Sequence, residues 1–263
     1  QTMHQLSGLS REEAEARLSG AGLTREDPAV AFQRAMNTLA RVGYSYAGQE
    51  AAFNELRAWF TRDDAALTGD RDVPLSHAEI RRGRAWLVRL GMDLGQLAPR
   101  QQAPDSAERI ADAERAINFL GPVADAIRAA CPDQRAPCAG QIIDGTERIS
   151  DGVMRSDPPN EAALEAAFFQ LGAARLRAAG LVEASGLSEA GQPGGLDCLG
   201  GVRTAQSPGH IDQARLAFQA IARRYPSFSA DANWGMGCAI LADLGRMRET
   251  ERPARLEEAI SYL

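Results

Sequence analysis

Two thirteen-residue stretches, FFQLGAARLRAAG at 168–180 and NWGMGCAILADLG at 233–245, each carry an aromatic second, a glycine fifth and a glycine last. An internal glycine costs a helix about 1 kcal/mol relative to alanine, so it is tolerated mainly where another helix must come close. A final glycine suits the left-handed residue that ends a helix. At an offset of 65 residues, Phe169 meets Trp234, Leu171 meets Met236 and Gly172 meets Gly237. Ala174 then meets Ala239, Leu176 meets Leu241 and Gly180 meets Gly245. The pattern predicts two equivalent helices, closely approached at Gly172 and at Gly237.

The rest of the chain carries helix signals and no long alternating β-branched run, so the fold class it implies is all-α. Ser10 and Glu13 form a capping box for a first helix, and Ser76 and Glu79 form another ahead of AEIRRGRAWLVRLGMDLGQLA. Asp27 and Pro28 open a helix that Gly43 closes, with Val30, Met36, Leu39 and Val42 as its apolar stripe and Phe32 and Ala35 beside it. Phe53, Leu56, Trp59 and Phe60 repeat at helical spacing in the next. A long segment from Ser106 carries Ile110, Ala113, Ile117, Leu120, Ala124 and Ile127 on one stripe, and Pro122 should bend it near Asn118. A shorter helix follows over 139–156, and Asn160 caps the one after it. This organisation suggests a helical region over 1–100, a hairpin over 101–159 with a turn at Cys131 and Cys138, and a third region over 160–263. The third region contains a Gly-rich loop at 181–208, of a length that is often functional in a compact domain. RLEEAISYL ends in mid-pattern, with Leu256, Ile260 and Leu263 on one face, and reads as cut from a longer protein.

Between the two glycine-bearing stretches lies ARLAFQAIARRYP, in which Ala214, Phe218 and Pro226 keep the small–aromatic–proline spacing of a second repeat helix. With its neighbours, the stretch over about 160–263 resembles tetratricopeptide-like helical hairpins in the irregular style of bacterial envelope proteins. Ile221 stands where that family usually has a small residue, and the spacing is nowhere 34 residues. The resemblance implies stacked hairpins, either a right-handed superhelix or an irregular α-α bundle. It also implies a concave groove lined by first-helix residues, which makes Phe169, Arg177, Asp231 and Trp234 the candidate contacts for a protein or peptide partner. Core packing is the competing role for Phe169 and Trp234.

The net charge of −6 speaks against a nucleic-acid surface, and all 29 basic residues are Arg, so a GxxxxGK[ST] phosphate loop is impossible. No window approaches 18 uninterrupted apolar residues, so no membrane span is expected. His77 with Glu79, and His210 with Asp212, sit at helix starts, where the acids complement the helix dipole. A Cys198–His210 nucleophile lacks an orienting third residue. The Arg cluster at 81, 82 and 84 reads as an exposed helix face, and Glu12/Glu13, Asp63/Asp64 and Glu257/Glu258 point about 100° apart on their helices. No catalytic residue, metal ligand set or cofactor is therefore expected.

Cys131 and Cys138 bracket a turn, Cys198 lies in the Gly-rich loop and Cys238 in a helix. Disulfides in a periplasmic or otherwise extracytoplasmic protein, free thiols in a cytoplasmic one, and a zinc site all remain open; CxxC spacing is absent. The functional expectation is a non-catalytic interaction scaffold within a larger bacterial envelope protein, the alternative being the accessory or lid region of an enzyme whose catalytic part lies elsewhere. Alkylation without reductant, read by intact mass, tests the disulfide expectation: fewer than four labels are expected on the chain, which has 4 Cys, and four would exclude any bridge.

Overall fold

The computed structural model describes residues 27–68, 75–97, 106–131, 161–179, 208–225, 229–244 and 247–262. Among the described residues there are nine helices and no strand: α1 (Pro28–Val42), α2 (Tyr46–Phe60), α3 (Asp64–Thr68), α4 (His77–Leu97), α5 (Ser106–Ala130), α6 (Glu161–Ala178), α7 (Pro208–Arg224), α8 (Ser229–Asp243) and α9 (Arg252–Tyr262). The all-α expectation holds. The Ser10–Glu13 box, the helix over 139–156, the Asn160 cap, the cysteine turn and the loop over 181–207 lie outside the described residues, as do Gly180, Gly245 and Leu263.

Local chemistry sets the helix ends. Pro28 opens α1 behind Asp27, whose side chain makes no capping bond, and Gly43 closes it at φ +72°, a region that favours glycine. Ser45 caps α2 by accepting from the Gly48 amide at 3.3 Å. At α4 the capping box forms in both directions: the Ser76 amide donates to Glu79 Oε2 at 2.9 Å, and the Glu79 amide donates to Ser76 Oγ at 3.3 Å. α5 runs through Pro122 to Ala130. α7 starts at Pro208, where proline's fixed φ suits a first helical turn.

The described helices fall into two compact units. One is made of residues 27–68, 75–94 and 125–131, the other of 95–97, 106–124, 161–179, 208–225, 229–244 and 247–262. α4 and α5, assigned by sequence to the regions 1–100 and 101–159, each contribute to both.

In the first unit α1 packs against α2, with Phe32 edge-on to Phe60 at 6.4 Å between ring centroids and Arg34 paired with Glu55 at 2.6 Å. The contacts run Phe32 to Phe60 and Val42 to Gly48, so α1 and α2 are antiparallel. The Phe60 ring, 1% exposed, lies against the backbone of Gly83 on α4, where a Cβ would collide with it. At the other end of this pair, the Tyr44 hydroxyl donates to Asp93 at 2.6 Å and accepts from Arg89 Nε at 3.2 Å. α4 therefore runs antiparallel to α2 and parallel to α1. Burial of the Tyr44 phenol, reinforced by Asp93, holds its pKa far above the ordinary tyrosine value.

The second unit repeats this arrangement. α6 is apolar on every side: Leu164, Ala167, Phe168, Phe169, Leu171, Ala173, Ala174 and Leu176 are all buried, as a helix packed on several faces requires. α6 packs against α7, α7 against α8, α8 against α9, and α8 also against α6. Phe168 meets Tyr225, Gly172 meets Phe218 and Ala179 meets Ile211, so α6 and α7 are antiparallel. Gly235 meets Phe218, and Ala242 packs where Ala179 meets Ile211, so α8 is also antiparallel to α7. α6 and α8 consequently run parallel. Phe218, completely buried, is held by Gly172, by Gly235 and by the edge-on ring of Phe169 at 5.7 Å.

The ring contact falls two residues away from the 65-residue alignment. The 65-residue alignment pairs Gly172 with Gly237, but the glycine of α8 that admits the aromatic ring is Gly235. Two residues apart on a helix means about 200° around it, so only one of Gly235 and Gly237 can face Phe218. Two apolar stripes also differ. Val42 is 56% exposed, while Ala31 is buried in its place. On α9 Leu256 and Ile260 are 44% and 62% exposed and Ala259 is the buried residue, because α8 meets the alanine side of the helix.

Gly235→Ala should destabilise the protein by about 1–3 kcal/mol, since overpacking against Phe218 outweighs the helix preference for alanine. Gly209→Ala, on α7 with nothing within 4 Å of its new methyl, should instead be neutral or slightly stabilising. Combining Gly235→Ala with Phe218→Leu should cost less than the two changes summed, which urea denaturation of the four variants measures.

Candidate functional site

Parallel α6 and α8 pack against each other, and near their starts two carboxylates lie close enough for one to influence the other electrostatically. Glu165 belongs to the second turn of α6 and Asp231 to the first turn of α8. Glu165 is 6% exposed, and its Oε1 is fully buried with no hydrogen-bond partner. Asp231 is exposed. Neither takes part in an ion pair or hydrogen bond among the described residues. Burial first, and then the neighbouring negative charge of Asp231, push the Glu165 carboxyl up to about 7. The sequence carries a trace of this site, because Glu165 is the sole charged residue between Leu164 and Ala174 in an otherwise apolar and small-residue run.

The four candidate contacts separate by environment. Trp234 is 38% exposed and lies three residues after Asp231, hence on the same side of α8. Phe169, 7% exposed, is committed to Phe218 and belongs to the core. Arg177 is half-buried, with its Nε enclosed and unpartnered, and burial pulls its guanidinium below the usual arginine range. The structure thus leaves Asp231 and Trp234 at the surface, beside a buried acid that sequence reasoning missed.

Two other polar clusters brace helices. His210, placed at a helix start by the sequence, uses both ring nitrogens on other helices: Nδ1 lies 3.1 Å from Arg175 Nη1 and Nε2 lies 2.9 Å from Glu114 Oε1. A guanidinium can only donate, so Nδ1 accepts and the proton of the neutral ring sits on Nε2, facing Glu114. With both nitrogens engaged, His210 has no free acceptor with which to activate Cys198, which lies outside the described residues. Arg84, expected on an exposed face, is 1% exposed. It donates to the Phe60 carbonyl at 3.4 Å, the Arg62 carbonyl at 2.7 Å and Asp64 at 2.5 Å. It thereby satisfies carbonyls that the end of α2 leaves without helical partners. The same Asp64 lies 3.7 Å from His77, and Glu258 pairs with Arg255, so these acids serve helix ends and surfaces.

Cys131 and Cys238 are disulfide-bonded and no described cysteine is free; Cys138 and Cys198, like the pairing itself, lie outside the described residues. Among the described residues no group of three or more His, Cys, Asp and Glu side chains could hold a metal ion, and no helix is long and apolar enough to cross a membrane.

Glu165 makes stability depend on pH in a defined direction. Its folded-state pKa of about 7 exceeds the ordinary 4.5, so between these values the folded chain holds a proton that the unfolded chain has lost. Stability should be full below about 4.5, fall as the pH rises through about 7, and change no further from this group above that. The effect is about 3 kcal/mol at most. In Glu165→Gln this component should vanish, so the variant should melt above the wild type at alkaline pH and close to it in acid, as differential scanning calorimetry would record. Comparison of the chain with protein-family models, curated proteins and solved structures finds no match in any of the three.

Proposed function

We propose that the second unit is a non-catalytic scaffold of tetratricopeptide-like hairpins that holds a protein or peptide partner along the side of α8 carrying Asp231 and Trp234. One observation carries this reading: α6, α7 and α8 run parallel–antiparallel–parallel about Phe218, with glycines on both outer helices receiving its ring. Hairpins stacked in this way leave first helices side by side and create an extended surface without a catalytic group. α6 and α8 are first helices in this scheme, with α7 and α9 as second helices. An exposed tryptophan next to a carboxylate suits recognition, since a large ring contributes contact area at little entropic cost.

An extracytoplasmic, bacterial-envelope setting belongs to the same proposal. It is supported by the bonded state of Cys131 and Cys238. The pairing we infer is Cys131 with Cys138 and Cys198 with Cys238, the second anchoring the segment between α6 and α7 to α8.

Partner capture from an envelope extract tests the scaffold. Trp234→Ala and Asp231→Arg should each weaken capture about tenfold or more, while Arg223→Glu, exposed on α7, should leave it unchanged. Identical captured sets from the wild type and both α8 variants would sink the proposal.

A further inference from the structure

At the start of α6 the Glu165 carboxyl is buried with its Oε1 unpartnered, close enough to Asp231 on α8 to feel its charge. A buried carboxyl oxygen with no donor costs free energy that the fold must offset elsewhere. Most other acids discussed above are answered by a cation, an N–H or an O–H: Asp64 by Arg84, Asp93 by Tyr44, Glu114 by His210 and Glu55 by Arg34. Glu165 has no such answer at its Oε1 among the described residues, and the charge that acts on it is that of Asp231, another acid. Two carboxylates on neighbouring parallel helices, one sunk beneath the surface and one at it, with a partly exposed indole three residues on, are complementary to a cation on an aliphatic stem. The ammonium or guanidinium would sit between the oxygens and the stem would lie along the ring.

We propose that Glu165 and Asp231, with Trp234 beside them, form the subsite for a basic side chain of the partner peptide. This rests on the scaffold reading and narrows it to partners that present a Lys or Arg. The buried oxygen of Glu165, 94% of whose residue surface is withdrawn from solvent by its 6% exposure, supplies the driving force: an entering cation gives it the counter-charge that α6 and α8 do not.

Proton linkage follows. With its carboxyl pushed up to about 7, Glu165 holds a proton in mildly acidic solution, and an arriving cation must displace it. Affinity for a cation should therefore rise about tenfold per pH unit below that midpoint and level off above it. Asp231 is the charged group that acts on Glu165 across the helix pair.

The test uses the full chain with carbon-13-labelled glutamate, the Glu165 carboxyl signal being identified by its loss in Glu165→Gln. N-acetyl-lysinamide and N-acetyl-argininamide are the cationic probes, N-acetyl-glutaminamide the neutral one and calcium chloride the metal control. At saturation a cationic probe should lower the Glu165 midpoint by about one unit or more and bind about tenfold more tightly near pH 7 than near pH 6. The neutral probe should do neither, and Asp231→Asn should lose the cation response while Glu165 still titrates. A midpoint unmoved by both organic cations, a response to calcium alone, or an equal response in Asp231→Asn would overturn the subsite. Failure of the scaffold is distinguishable, because it appears as partner capture insensitive to Asp231→Arg and Trp234→Ala whatever the small probes do. Conversely, capture that needs Trp234 but is as strong in Glu165→Gln at every pH overturns the subsite and leaves the scaffold standing.

Discussion

A benzyl ring between two glycines organises the second unit. Phe218 can enter the seam of α6 and α8 only because neither Gly172 nor Gly235 presents a Cβ. Dispersion falls off steeply with distance, so the closest approach of a flat ring to bare backbone gains much from a small separation. Once the ring is seated, little else about the three helices is free. Its position fixes how far each outer helix slides along α7, and this sets the start of α6 beside the start of α8. The meeting of Glu165 with Asp231 is thus a by-product of aromatic packing two turns away. The first unit uses the same chemistry with different residues: Phe60 of α2 enters at Gly83 of α4, with Phe32 of α1 edge-on to it. Nothing in the first unit's spelling resembles ARLAFQAIARRYP, yet the physical solution recurs.

What the chain discloses in advance is mostly local. Ser76 with Glu79, Pro28 with Gly43, and the stripe from Ala113 to Ile127 each depend on neighbours within a turn or two, and each forms as its spacing implies. What escapes is the choice among geometrically equivalent partners. Residue matching favours Gly237, because similarity of side chains says nothing about which side of α8 faces Phe218. A run as apolar as 164–174 has no polar side to mark its orientation, so the environment of Glu165 cannot be read from periodicity. Arg84 belongs to an Arg-rich stretch that resembles a solvated face, and only the end of α2, some 20 residues earlier, supplies the carbonyls that draw it inward. Phe169 is decided in the same way, by Phe218 rather than by its own helix.

Several charged side chains among the described residues finish or link helices. Arg84 closes the end of α2, the carboxylate of Glu79 serves the start of α4, and His210 links α6 to α5 through a ring whose proton position is dictated by a donor-only neighbour. Against that background a buried acid facing another acid has no architectural task. That contrast, more than any single distance, separates the start of α6 and α8 from the rest of the polar groups.

The contact of Ala179 with Ile211 has a topological consequence. The chain leaves α6 and re-enters α7 at nearly the same point, so the helix pair closes without help from the length of what lies between. The entropy of closing such a segment grows only logarithmically, about 0.6 kcal/mol for each doubling. The length of residues 180–207 therefore weighs little on the packing around Phe218. The hairpin is a port at which new sequence can be inserted, and a short graft joining 179 to 208 should retain the packing of α6 against α7.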